Sequence, residues 1–152
     1  MIGFNSPKAP PFLLEKMNNL CSLLRQEKKD FEQVASIMTN KDLRSTILTL
    51  ATESNQYACE LSSQIHTMGG MPTLEEYNEP EVAPDDTRNL NNEDEILTFC
   101  KLNEDKMISA YQEILNEPSL YDGVTKMIRY QLNQMVCAFT HVNQLNALKF
   151  RN

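Results

Sequence analysis

Glycine is scarce in this sequence, and the glycine motifs of common catalytic sites are absent from it. The four glycines among its 152 residues form neither a Gly-x-Ser-x-Gly turn nor a glycine-rich phosphate loop. No Cys-x-x-Cys pair occurs, and the cysteines fall one in each predicted helix: Cys21, Cys59, Cys100 and Cys137. We interpret them as buried free thiols of a reducing compartment rather than ligands of one zinc ion. Nucleophilic catalysis is therefore without support, and no small-molecule substrate is indicated.

Basic residues and long apolar runs are also in short supply. Lysine and arginine number 14 against 21 aspartates and glutamates, a net charge of −7, so a nucleic-acid partner is not expected. No apolar run approaches the roughly 18–20 residues of a membrane span. The first residues also lack the apolar core of a signal peptide. We therefore expect a cytoplasmic protein that has no membrane partner.

The acidic excess is concentrated in one stretch of the chain. Between Glu75 and Glu95 there are nine acidic residues and one basic residue, Arg88, and the remainder is nearly neutral. We interpret this stretch as serving solubility, with a docking tail or a weak cation sink as the alternatives.

Four long stretches carry apolar residues at the three- and four-residue spacing that is typical of amphipathic helices. The predicted helices cover residues 13–38, 41–68, 93–116 and 120–149, after a proline-bearing arm at residues 1–12. Gly69 and Gly70 suit the end of the second helix, and Pro118 stops the third.

Residues 71–91 form a proline-containing connection between the second and third helices. The short links elsewhere predict two antiparallel helical hairpins. A helix of about 26 residues is roughly 39 Å long, and 21 extended residues reach roughly 70 Å, so this crossover can return along the whole bundle. The sequence therefore predicts an all-α, ferritin-like four-helix bundle with parallel second and third helices, as one domain over residues 13–150. An up-down-up-down bundle is the alternative.

Two glutamates lie on apolar stripes, where an unpaired charge is costly. Glu27 has Leu24 three residues before it and Phe31 four after it, and Glu104 has similar neighbours in the third helix. Such positions indicate either a polar layer or a metal site. Glu60 follows Glu27 by 33 residues, and Cys137 follows Glu104 by the same interval. This equal offset makes the two hairpins resemble repeats.

The complete ligand set of a ferritin-like di-iron site is missing, because no glutamate is followed three residues later by histidine. The candidate metal ligands that remain are Glu27, Glu53, Glu60, Glu104 and His141. We expect Glu27, Glu60 and Glu104 to converge inside the bundle. The alternative is that Glu27 and Glu104 are hydrogen-bonded to neighbouring glutamine or tyrosine side chains, namely Gln131, Gln134, Tyr57 or Tyr111, and that His141 is a satisfied core residue.

These residues together resemble an uncharacterised bacterial family of ferritin-like four-helix proteins. The resemblance is carried by Glu27 before Phe31, Ala51-Thr52-Glu53, Glu60-Leu61, Gly69-Gly70, Glu104 with Tyr111, Gln131 and His141. It implies a ferritin-like bundle that is often dimeric and has no established activity. The crossover departs from the family, since it looks shorter and lacks a tryptophan-containing segment.

We expect a structural or stress-associated protein that is not an enzyme and that contains a degenerate metal centre. No cofactor is expected, and the alternative is one bound iron or other divalent metal ion. A homodimer is predicted because Phe99, Ile114, Tyr130 and Phe150 lie off the main apolar stripes.

Overall fold

The computed structural model describes residues 9–73 and 93–149, and every regular element in those ranges is an α-helix. The helices are α1 (Pro11–Ile37), α2 (Lys41–Thr67), α3 (Glu93–Leu115) and α4 (Asp122–Lys149). Helix α1 begins two residues before the predicted start, since proline is well suited to the first helical position. None of the described helices is long and apolar enough to cross a membrane.

The two ends of α2 are fixed by side-chain and backbone chemistry that the sequence indicates. The Asn40 side chain accepts a hydrogen bond from Leu43 N at 3.0 Å, which caps the helix N-terminus. At the other end Gly69 has a φ of 87°, a conformation that glycine adopts without strain. Gly70 N then donates to Ile65 O at 2.9 Å, which closes the helix.

The helices pack as two antiparallel hairpins in a ferritin-like arrangement. Each of α1 and α4 contacts both α2 and α3. Ala9 N, before α1, donates to Met68 O, after α2, at 3.3 Å, so α1 and α2 are antiparallel. Lys16 near the start of α1 pairs with Glu117 just after α3 at 2.6 Å, so α1 and α3 are antiparallel too. Helices α2 and α3 are therefore parallel, which confirms the predicted crossover topology and excludes the up-down-up-down alternative.

The chain that leaves α2 is tied to α1. The Asn18 side chain donates to Met71 O at 3.1 Å and accepts from Thr73 N at 2.8 Å. Two turns further along α1, Arg25 Nη1 donates to Thr73 O at 3.0 Å. The crossover therefore starts out along α1. Residues 74–92, with most of the acidic stretch, and residues 1–8 of the arm lie outside the described residues.

The interior contains the apolar stripes of all four helices, and the predicted stripe residues account for most of it. Phe31 and Phe139 meet edge to face in this core, with ring centroids 5.9 Å apart. Ile114, which we expected at an interface, is fully buried instead, and Phe99 is half-buried against the core. Tyr130 is 58% exposed, as expected, and Phe150 lies outside the described residues.

The cysteines divide into two kinds. All four are free, but only Cys21 and Cys100 are buried. The prediction of four buried thiols is wrong for Cys59 and Cys137, which are exposed because they lie on the solvent sides of α2 and α4.

Candidate metal centre

A glutamine on α4 lies at the centre of a hydrogen-bonded network that links three helices. Gln131 is fully buried. Its Nε2 donates to Glu60 Oε1 on α2 at 3.0 Å, and its Oε1 accepts from the Tyr111 hydroxyl on α3 at 2.9 Å. A longer contact of 3.5 Å joins Gln131 Nε2 to Tyr57 O. Both ends of this carboxamide are therefore paired, as a buried polar group requires.

Glu60 has neutral amide donors on both of its oxygens. Gln56 Nε2, one turn earlier on α2, donates to Glu60 Oε2 at 3.1 Å, while Gln131 holds Oε1. The carboxylate is half-buried and is stabilised by hydrogen bonds rather than by an opposite charge.

Two tyrosines extend this network as donors. Tyr57 donates from its hydroxyl to Glu53 Oε2 at 3.2 Å. Burial, followed by the charge of Glu53, raises the pKa of Tyr57 far above its ordinary value. Burial also raises the pKa of Tyr111 well above its usual range. Both hydroxyls therefore stay protonated and remain donors at neutral pH.

Glu27 lies in a different setting, on the apolar face of α1. It is 2% exposed, and its Oε2 has no hydrogen-bond partner among residues 9–73 and 93–149. Burial raises the pKa of Glu27 well above its ordinary value, Asp30 adds to the rise, and Lys106 opposes it. Burial, with a smaller contribution from Glu27, also raises the pKa of Cys100 to about 12. This region therefore favours the neutral carboxylic acid and the neutral thiol.

Glu104 on α3 is 7% exposed and is paired towards the solvent. Lys101, one turn earlier, donates to Glu104 Oε1 at 3.1 Å, and Lys101 Nζ also lies 3.8 Å from Asp105. The neighbouring Asn103 is 6% exposed, and its Nδ2 has no partner within the described part of the chain.

His141 lies outside the core. It is exposed and borders a groove of about 390 Å³ between α2 and α4, together with Glu53 and Cys137. The neighbouring Val142 and Phe139 occupy the buried positions of this part of α4. The alternative that His141 is a satisfied core residue is therefore wrong.

The predicted ligands do not gather into one site. Across the described ranges, no group of three or more His, Cys, Asp or Glu side chains is placed to hold a metal ion. Glu53 accepts a hydrogen bond from the Tyr57 hydroxyl, and Glu60 accepts one from Gln131. Glu104 is paired with Lys101 instead, and Glu27 Oε2 has no partner among the described residues. The convergence of Glu27, Glu60 and Glu104 is thus not found, and the metal-ligand role of the five residues stays a prediction.

A di-iron centre does not fit this arrangement. Such a centre needs carboxylate and imidazole donors from all four helices that project inward. Here the imidazole of His141 and the thiol of Cys137 are on the outer surface, and both oxygens of Glu60 already accept hydrogen bonds. The geometry instead supports a polar layer that is held together by neutral donors.

The sequence indicated some of the buried polar residues of the bundle but not others. We predicted glutamine and tyrosine partners for Glu27 and Glu104, among them Gln131. In the structure Gln131 donates to Glu60 instead. Ser54 and Asn103 were missed, although both are buried. Ser54 lies three residues from both Ala51 and Tyr57, and this stripe spacing would have identified it.

No protein-family model matches the sequence, and no curated protein matches it. The resemblance to an uncharacterised bacterial family is therefore not confirmed at the level of sequence.

Solved structures do resemble the chain. One is the dodecameric thioferritin of Bacteroides fragilis, a bacterioferritin-related protein, with a TM-score of 0.77 and 16% identity over 97% of this chain and 91% of that chain. Another is a ferritin-like, diiron-carboxylate protein from Bacillus anthracis str. Ames, with a TM-score of 0.66 and 16% identity over 90% of this chain and 94% of that chain. At this identity the likeness concerns the fold: the chain is a ferritin-like four-helix bundle.

Proposed function

We propose that this protein is a non-catalytic ferritin-like bundle with a structural or stress-associated role. Its metal centre is degenerate, and hydrogen bonds replace the metal ion. The observation that carries the proposal is the position of Gln131, whose amide hydrogens face Glu60 and whose carbonyl oxygen accepts from Tyr111.

The physical basis is the cost of burying a carboxylate. A carboxylate removed from water needs a cation or several hydrogen-bond donors. The Gln56 and Gln131 amides supply donors to both oxygens of Glu60, so no cation is needed there. A hydrogen-bonded network that joins three helices also favours one packing arrangement of those helices, which is consistent with a structural role.

Elemental analysis of protein purified from iron-supplemented cells tests this proposal. We expect well below one iron per chain, and an unchanged iron content in Glu60→Gln, which keeps the side-chain size but removes the charge. One or more irons per chain in the wild type, lost in Glu60→Gln, would contradict the degenerate centre.

Binding of a single divalent ion is the second candidate function. It would use Glu27, Glu60, Glu104 and His141 as ligands, after a rearrangement that brings them together. The observation that favours it is the buried Glu27 Oε2, which lacks a hydrogen-bond partner in the described structure and is a free donor atom for a cation. A bound metal ion that is lost specifically in Glu27→Gln would select this candidate.

We further propose that the protein acts as a homodimer in the cytoplasm. The exposed Tyr130 and Leu48 support self-association, at 58% and 43% exposed, because large exposed apolar side chains often mark interfaces. The dodecameric assembly of the similar Bacteroides fragilis protein also supports it. Light scattering at high concentration should report twice the 17.4 kDa of one chain, and a monomer would refute the dimer.

A further inference from the structure

The outer surface of α4 carries two metal-binding side chains that the polar core does not use. Cys137 and His141 are four residues apart on this helix, and both are exposed. Residues at this spacing lie one above the other on the same helix face. Both border the groove between α2 and α4, and the thiol of Cys137 is free.

The chemistry of the pair selects a class of ion. Thiolate sulfur and imidazole nitrogen are the preferred ligands of zinc and similar borderline divalent cations, at about 2.3 Å and 2.0–2.1 Å. Two such ligands one helical turn apart can bind a single ion as a chelate. The oxygen-rich surroundings of Glu60 would instead suit harder cations.

The groove also has room for an ion and its remaining ligands. Its other lining residues include the small side chains of Ser45, Thr46, Thr49 and Ala138. Within the described residues no third His, Cys, Asp or Glu completes a metal-binding group, so the pair supplies two of the four ligands of a tetrahedral ion. Water, or the same pair from a second copy of the chain, supplies the other two.

We propose that Cys137 and His141 form a surface site for a zinc-class divalent cation, separate from the core. On binding, the Cys137 thiol loses its proton to solvent and the sulfur forms a bond to the metal, while the neutral imidazole of His141 donates a nitrogen lone pair. No electron transfer is involved. The site is independent of the hydrogen-bonded polar core, since it shares no residue with Glu60, Gln131 and Tyr111. It takes His141 away from the single-ion alternative described above, so the two metal sites exclude each other.

A cobalt(II) titration of phosphine-reduced protein tests the site, because a cobalt–thiolate bond gives a charge-transfer band in the near ultraviolet. We expect this band in the wild type and its loss in Cys137→Ser. In His141→Ala the apparent affinity should fall by roughly tenfold or more, since loss of even an outer hydrogen-bond partner costs that much.

Cys59→Ser is the matched control. Cys59 is also an exposed thiol on a helix surface, but neither residue four positions away from it is a histidine. The band must persist in this variant. A band that persists in Cys137→Ser, or an affinity that is unchanged in His141→Ala, would overturn the proposal. One cobalt per chain identifies water as the source of the remaining ligands, and one per two chains identifies a second copy.

Discussion

Two regions of the same bundle contain carboxyl groups that are shielded from solvent, half-buried for Glu60 and fully buried for Glu27, and they satisfy these groups differently. Around Gln131, each oxygen of Glu60 accepts a hydrogen bond from a glutamine amide. Around Glu27, one carboxyl oxygen has no partner within the described residues, and burial raises the pKa of the group. A carboxyl group that is shielded from solvent can thus be paired with hydrogen-bond donors or, where one oxygen lacks a donor, be shifted towards its neutral form.

This difference has consequences for stability. The paired region depends on every member of its network, because removal of one donor leaves the others buried and unsatisfied. The unpaired region carries a polar group whose charged form the fold disfavours. Substitutions in the paired region should therefore lower the free energy of unfolding, whereas substitutions that remove the unpaired polar group should raise it or leave it nearly unchanged.

The largest effect is expected from Gln131→Leu, which removes the amide but keeps a similar volume. Glu60 Oε1 and the Tyr111 hydroxyl then lose the partners that they have at 3.0 and 2.9 Å. The free energy of unfolding should fall by about 2–4 kcal/mol, since each unsatisfied buried group costs about 1–3 kcal/mol. Urea denaturation measures this change.

Gln134→Leu is the control for that substitution. Gln134 is on the same helix but is only half-buried at the surface groove, so its effect should stay within about 0.5 kcal/mol. If Gln131→Leu proves as stable as Gln134→Leu, then the network does not stabilise the bundle and the contrast between the two regions disappears.

Glu27→Gln should have a smaller effect of opposite sign. The raised pKa in the folded state means that the unfolded chain releases its proton from Glu27 at lower pH than the folded chain does. Glu27 therefore makes the folded wild type less stable as the pH rises above the pKa that this residue has in the unfolded chain. Well below that pKa, Glu27 has no such effect on stability. In chelator-treated protein the variant should be more stable by about 1–2 kcal/mol at pH 8.

The pH dependence distinguishes this explanation from a simple packing change. Thermal unfolding of wild type and Glu27→Gln at several pH values should show an advantage that shrinks towards zero near pH 4, where the wild-type carboxyl is neutral in both states. An advantage that is constant with pH would mean that ionisation of Glu27 plays no part.

The smallest effect is expected for Asn103→Leu on α3, which removes a second buried polar group that has an atom unpaired among the described residues. Asn103 Nδ2 has no hydrogen-bond partner in the part of the chain that the structure describes, so an apolar side chain of similar size removes an unsatisfied donor. The free energy of unfolding should stay within about 1 kcal/mol of wild type or rise slightly. A loss as large as that of Gln131→Leu, measured in the same urea series, would show that Asn103 is satisfied by a partner such as bound water.

The helices and their topology could be predicted from sequence because the relevant signals are local. The apolar stripes, Asn40 as a cap and Gly69 with Gly70 as a stop each act within a few residues. The parallel orientation of α2 and α3 was favoured by the length of the connection at residues 71–91, although this length also permitted the up-down-up-down bundle. The burial of Glu27 and Glu104 followed from their position on a stripe.

The partners across the bundle could not be predicted in the same way. A stripe shows which face of a helix is buried, but not which residue of the next helix lies opposite. Gln131 meets Glu60 rather than Glu27 because the packing of α2 against α4 sets their relative positions. The prediction that Cys59 is buried was wrong for a different reason, because it relied on the residue type. The buried face of α2 contains Tyr57, Ala58 and Leu61, and Cys59 lies on the solvent side of that helix.

The hydrogen bonds from Asn18 and Arg25 to the chain after α2 affect how the crossover can be altered. Because Met71 and Thr73 are already held against α1, the entropy of loop closure is set by the chain beyond Thr73 and not by the whole connection. This entropy changes slowly, by about 0.6 kcal/mol for each doubling of loop length. Lengthening the chain after Thr73 would therefore cost little closure entropy and would leave the contacts of Met71 and Thr73 with α1 in place.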